Sequence, residues 1–462
     1  MPKPVAWPLR RTLGVVTLAW MFGSVWNTVT TTAPLTLFAK GLGASNLQFG
    51  LLTALPFIAS LVSLPSSLLI EATGHRKRIF LCGQYLQRAL WFAIALVPLR
   101  MMSASSAGAP SALSVFLALM FVMYAGGAVG SPAWVSWMAD LVPRRINGKY
   151  FSRRRQWAIL TSIPAAIFVG LFLDRFVGQG QFDTLRWCAI LFMCSAVCGL
   201  ADINLFHYVP DAPRAAQSKA VVLRSLVEPL HDRSFLGYSG FIAALTFAVN
   251  FLGQFATLYL IEQVHVTNTG VQMILVVAPM AGQLLVLGLW GRAADRMGKK
   301  PLLAIASIGL VPVGMAWCWV GPHNAWLGYL LSALGAMLWA GVEVVNLNLV
   351  LEASGGRRGG SSYCAVNSVL INIAGCFGGL AAGFIGQALA DWHWQPLTGL
   401  KTFTFYDVLF VLSGVLRLAA VVGFLWFLAR SKDAHSKSMT PQGDRRYLCP
   451  QRPIDPPLAQ AA

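Results

Sequence analysis

Glu343, Arg88 and Arg417 are ionisable residues set inside long apolar runs, at 325–351, 79–101 and 405–429. A charge within hydrocarbon is costly, so such a residue pairs, lines a cavity or handles an ion. Glu343 precedes Glu352 by nine residues. That is about 13 Å along a helix, near the middle of a ~30 Å apolar layer. A carboxyl group held away from water there is a candidate proton carrier or cation ligand, or else makes a structural hydrogen bond to a neighbouring span. Asn346 follows it at i+3, and Trp339 stands one turn earlier. Arg88 has Gln84 and Gln87 beside it. For Arg88 and Arg417, anion binding or coupling stands against structural pairing. Further polar or aromatic candidates inside apolar runs are Trp20, Trp26, Asn27, Tyr124, Asn250 and Gln254. Asn250 and Gln254 share a helix face at i, i+4. Aromatics with a few amides suit a medium-sized organic solute.

The elements that position these residues are membrane helices. The chain of 462 residues is 56% hydrophobic and 11% charged, whereas soluble domains carry about 25% charged residues. Twelve runs between residues 12 and 429 are long enough to span. Of the 35 Lys and Arg, 28 fall on the side that holds both termini. By the positive-inside rule that side is cytoplasmic. This asymmetry accounts for the net charge of +18 without nucleic acid. The eight cysteines form no CxxC pair, and Cys194 with Cys198 reads as packing rather than as a metal site. No cofactor or metal is expected. The first apolar run contains Asn27 and several Thr, and is expected to be a retained helix rather than a cleaved signal.

The chain divides into residues 1–210 and 235–430, each with six spans, joined by a polar segment, 211–234, and followed by a polar tail, 431–462. The halves repeat weakly. Asn27 and Asn250, and Pro56 and Pro279, are 223 apart; Gly74 and Gly298 are 224 apart; Asp140 and Glu352 are 212 apart. Each pair occupies an equivalent point in the two halves, which supports a duplication. Parallel six-span repeats are a transporter architecture.

The turn Gly291-x-x-x-Asp295-Arg296-x-Gly298-Lys299-Lys300 resembles the signature of the major facilitator superfamily. The preceding half carries a degraded copy, Glu71 to Arg78, centred on Gly74. The resemblance covers about residues 10–430. It implies an all-α integral membrane fold, twelve transmembrane helices in two pseudo-symmetric six-helix bundles, around a cavity lined by spans 1, 4, 7 and 10. It also implies that Asp295 latches onto the start of span 11, near Ser362, to close the cytoplasmic gate. Gly291 and Gly298 suit a tight turn and close helix approach. Arg296, Lys299 and Lys300 suit the anionic inner surface. Glu71 stands where the family has Asp, and Ala72 where it has Arg. No drug-antiporter or sugar-porter pattern accompanies the signature.

The densest basic cluster runs from Arg144 to Arg155. Pairs of Asp140 or Glu71 with Arg153 or Arg154 across the gate are expected there, or else contact with anionic lipid. Gly375, Gly379 and Gly383 form a close-packing stripe in span 11. These readings point to a secondary active transporter of a small organic solute, coupled to protons, acting as a monomer in a bacterial inner membrane with both termini cytoplasmic. A transporter-like receptor without flux is the alternative. An enzyme is not expected, since no nucleophile–base pair or phosphate loop is evident.

Overall fold

The computed structural model describes residues 9–438, apart from 104–107, 144, 179, 212–227, 354–359 and 396–400. The central segment and the tail therefore lie largely outside the described residues. Helices fill nearly all the rest, because in lipid every backbone polar group must be satisfied within the segment. In order they are α1 (Leu9–Val29), α2 (Thr32–Gly41), α3 (Asn46–Ser60), α4 (Ser63–Thr73), α5 (Arg76–Ser103), α6 (Gly108–Leu141), α7 (Asn147–Phe176) and α8 (Gln181–Leu205). The second set is α9 (Arg233–Val249), α10 (Phe255–Glu262), α11 (Asn268–Gln272), α12 (Ala278–Met297), α13 (Lys299–Ala316), α14 (Trp326–Ala353), α15 (Gly360–Ala388) and α16 (Phe405–Ser438). A π-helical turn, Met273–Val277, joins α11 to α12. A two-residue hairpin pairs His393 with Thr404.

Among the described residues, 11 helical stretches are long and apolar enough to cross a membrane, and Arg233–Val249 is a shorter apolar helix. With α10 it forms the seventh of twelve spans. Leu285, Phe384, Phe168 and Leu160 are each at least 60% exposed. They lie along the spans, so lipid rather than water is their solvent.

Sequence explains where the helices stop. Ser45 and Gln48 form a reciprocal capping box at the start of α3. Asp232 caps α9 and Thr267 caps α11. Gly74 (φ +68°) and Gly298 (φ +83°) occupy backbone that other residues rarely adopt, and each ends a helix at the α4–α5 or α12–α13 turn. The end of the molecule carrying these turns is here the turn end, and the opposite one the far end.

The first eight helices pack mainly with one another, as do the last eight; α3 on α15 and α7 on α11 join the sets. One apolar core at the far end includes Phe38, Phe49, Leu55 and Leu173 of the first set with Phe255, Tyr259, Val271 and Ala382 of the second. Towards the turn end the core divides. Phe80, Trp137 and Phe206 belong to a cluster of the first set alone. Phe235, Leu303, Val345 and Phe424 belong to one of the second alone.

Candidate functional site

Glycine makes the far-end junction possible. A Cβ on Gly50 of α3 would lie 2.4 Å from the Gly383 Cα and 2.7 Å from the Gly379 carbonyl oxygen of α15. Gly379 and Gly383 of the span-11 stripe thus form a backbone-to-backbone interface, while Gly375 makes room for the Phe57 ring. A Cβ on Gly170 of α7 would lie 2.5 Å from the Thr269 Cα. Polar pairs surround these contacts. The Asp174 carboxylate accepts from the backbone N–H of Asn268 (2.7 Å) and Thr269 (2.9 Å), so α7 caps α11 across the junction. Lys40 Nζ lies 2.7 Å from Glu262 Oε1, and Tyr406 donates to the same carboxylate at 2.5 Å. Asn46 donates to the Gly386 carbonyl at 2.9 Å.

The turn end is held differently. Arg76 pairs with Asp140 (2.5 Å) and Asp211 (3.0 Å), and Lys299 pairs with Glu352 at 2.8 Å. In both halves a base opening one helix meets the acid ending the span-4 or span-10 helix. These pairs lie within a half. The expected pairing of Asp140 with Arg153 or Arg154 is corrected accordingly: Arg76 comes to Asp140 from the adjacent turn. Arg153 is exposed. Glu71 is half-buried, and its Oε2 has no hydrogen-bond partner among the described residues. Gly291 lies within α12 rather than in a turn, and a Cβ there would meet nothing within 4 Å, so close approach does not require it. Arg296 and Lys300 are exposed. The Asp295 latch falls on a side chain outside those described.

Within the first half, Arg88 of α5 turns inward. Its Nη2 lies 3.1 Å from Asp202 Oδ2 of α8, and both side chains are at most 5% exposed. Arg88 Nη1 also donates to Gln84 at 2.6 Å and to Gln87. Its guanidinium lies 3.9 Å from the centre of the Trp26 ring. Two glycines admit the cluster. A Cβ on Gly23 would lie 2.6 Å from Asp202 Oδ2, and one on Gly199 would lie 2.5 Å from Arg88 Cγ. The Arg154 guanidinium of α7 lies over the Trp20 ring (4.6 Å to its centre) and the Trp134 ring (4.8 Å). Tyr124 is half-buried against the far-end core. Asn27 is exposed near the end of α1.

In the second half, Glu343 is exposed and accepts from Trp339 Nε1 at 3.0 Å. The desolvated carboxyl expected there is not found, because α14 turns this residue away from its packed face. Val342 and Val345 occupy that face. Asn346 accepts from Tyr238 at 2.7 Å and from Asn367 at 3.3 Å. The shared helix face of Asn250 and Gln254 is also corrected. The helix breaks between Val249 and Phe255, with Gly253 at φ +23°. Asn250 bonds back to the Thr246 carbonyl (2.8 Å), while Gln254 accepts from Thr36 of the other half (2.9 Å). Span 1 breaks at the matching place, with Thr32 at φ +55°. Arg417 donates to the Leu310 carbonyl at 2.8 Å, close against Gly314, and its buried Nε–H has no acceptor among the described residues. Among the described residues no group of His, Cys, Asp and Glu could hold a metal ion.

Sequence reasoning missed Asp202. It lies in the apolar run that forms α8, and the rule that singled out Glu343 applies equally to it.

The sequence matches the Major Facilitator Superfamily over residues 15–379, so the chain belongs to that family of membrane transporters. Solved structures with the same fold include a mutant of the nucleoside transporter NupG. It is 13% identical, with a TM-score of 0.67, covering 90% of this chain and 99% of that one. The xylose transporter XylE from E. coli, in a partially occluded inward open conformation, is 16% identical with a TM-score of 0.62, covering 93% and 100%. A bacterial homologue of the iron transporter ferroportin, in an inward-facing state, is 14% identical with a TM-score of 0.67, covering 91% and 99%. Among curated proteins none matches the sequence.

Proposed function

We propose that the chain moves a small organic solute across a bacterial inner membrane by alternating access, driven by protons, as a monomer with both termini cytoplasmic. One observation carries this reading: the halves share a core at the far end and keep separate cores at the turn end. Taking the turn side as cytoplasmic, from the charge asymmetry of the sequence, we read this as an arrangement closed outward and open inward. Two rigid six-span units, 1–210 and 235–430, rock about the glycine junction. Asp295 and Glu71 serve the gate that closes when the turn ends meet. Glu343 receives the proton, with Trp339 and Asn346 beside it.

Nucleosides and xylose, named for two structural neighbours, open the test panel. Proteoliposomes under an imposed pH gradient accumulate or expel a member of a broad solute panel, and Glu343→Gln abolishes the gradient dependence while leaving exchange of the solute. Full gradient-driven flux in that variant removes Glu343 from coupling. Flux of no solute under any gradient sinks the transport reading.

A further inference from the structure

Arg154 is set apart from the other arginines within the first-half spans. It lies seven residues into α7, about 10 Å along the helix. Trp20 comes from α1 and Trp134 from α6, and each indole packs on the guanidinium, at 4.6 and 4.8 Å. Both indoles lie within cation–π distance of the guanidinium and cover part of its surface. Arg76 and Arg88 each meet a carboxylate. Arg154 has no ion pair or hydrogen bond among the described residues, and its buried Nε–H has no acceptor. Asp202 is the carboxylate that acts on it electrostatically, and that group is bonded to Arg88. Counting Arg88, Arg154 and Asp202 together, one positive charge is left over. Arg154 is half-buried near the turn end of α7, and a guanidinium without a counter-ion there leaves its hydrogen-bonding edge open to an anion. The edge of a guanidinium is a fork that fits a carboxylate or phosphate with two parallel hydrogen bonds.

We propose that Arg154, framed by Trp20 and Trp134, is an anion-binding site, and that the solute is an organic acid whose carboxylate it grips. This rests on the transport reading above and names its substrate class. The site is built by α1, α6 and α7 of the first half. An anion held there brings the missing charge, and the two indoles offer apolar walls to the acid's carbon skeleton. A lipid phosphate offers the same oxygens, so the test must separate the two sources.

The full chain, delipidated in an uncharged sugar detergent, is titrated with benzoate and with succinate, and separately with phosphatidylglycerol. Binding is followed by calorimetry and by the thermal midpoint. Wild-type protein is expected to bind at least one soluble carboxylate. Arg154→Gln weakens that binding by about tenfold or more, whereas Lys149→Gln, an exposed neighbour, leaves it unchanged. Should Arg154→Gln fail to fold, Arg154→Lys keeps the charge on the indoles but loses the fork, and is expected to bind more weakly than wild type. Equal loss in Lys149→Gln would point to a diffuse surface field and overturn the site. A response to phosphatidylglycerol alone makes Arg154 a lipid anchor and overturns the proposal. Gradient-driven flux of neutral solutes unaffected by Arg154→Gln also overturns it, with the transport reading intact. Arg154-dependent binding without flux supports the site and counts against transport instead.

Discussion

At the scale of single residues, the buried pair of Arg88 and Asp202 is the most constrained feature of the first half. Two glutamines, one indole and two glycines are arranged around it. Removing one partner of a buried pair strands the other charge. Asp202→Asn is therefore expected to lower stability by about 3–5 kcal/mol, read from unfolding in a mixed-micelle titration. The double change Arg88→Met with Asp202→Leu should recover most of that loss. An Asp202→Asn variant as stable as wild type would mean that the charges are not buried together. Half of this cluster was legible in sequence, because Arg88 with Gln84 and Gln87 stands out in an apolar run. Asp202 was equally visible but is 114 residues away, and only the packing of α5 on α8 brings them together. Glu343 shows the opposite limit. Its place on span 10 was evident, but exposure depends on which neighbours α14 touches, and periodicity alone does not fix that.

At the scale of elements, the junction of α3 with α15 is where small residues matter. The glycine spacing in span 11 announced close packing, and the partner proved to be Gly50 of span 2. Gly50→Leu puts side-chain atoms where the backbone of α15 lies, so the junction must part. Hydrogen exchange in residues 46–60 and 375–388 is expected to quicken in that variant, while α1 and α8 keep their protection. Unchanged exchange at the junction would show that it does not hold the far end closed. The two broken spans tell a related story. Asn27 and Asn250 were legible as a repeat, yet the breaks that follow them were not. They depend on Thr32 and Gly253 taking positive φ, a feature of the folded junction more than of local preference. The equivalent pairs Arg76–Asp140 and Lys299–Glu352 strengthen the duplication, since chemistry as well as spacing recurs.

At the scale of the whole molecule, the membrane-helix fold and the family followed from hydropathy, charge asymmetry and one signature turn. The conformational state did not, because nothing in a single sequence distinguishes which end of a symmetric pair of bundles is closed. That information lies in the shared core at the far end. Alternating access requires the two ends to open in opposition. The direct measurement is pulsed electron resonance on a cysteine-free background, with one spin-label pair at Leu47 and Gln387 and another at His75 and Arg292. A short far-end distance and a long turn-end distance are expected in the wild type. With Gly50→Leu added, the first lengthens as the second shortens. Distances that stay fixed, or that widen together, would contradict alternating access in this protein.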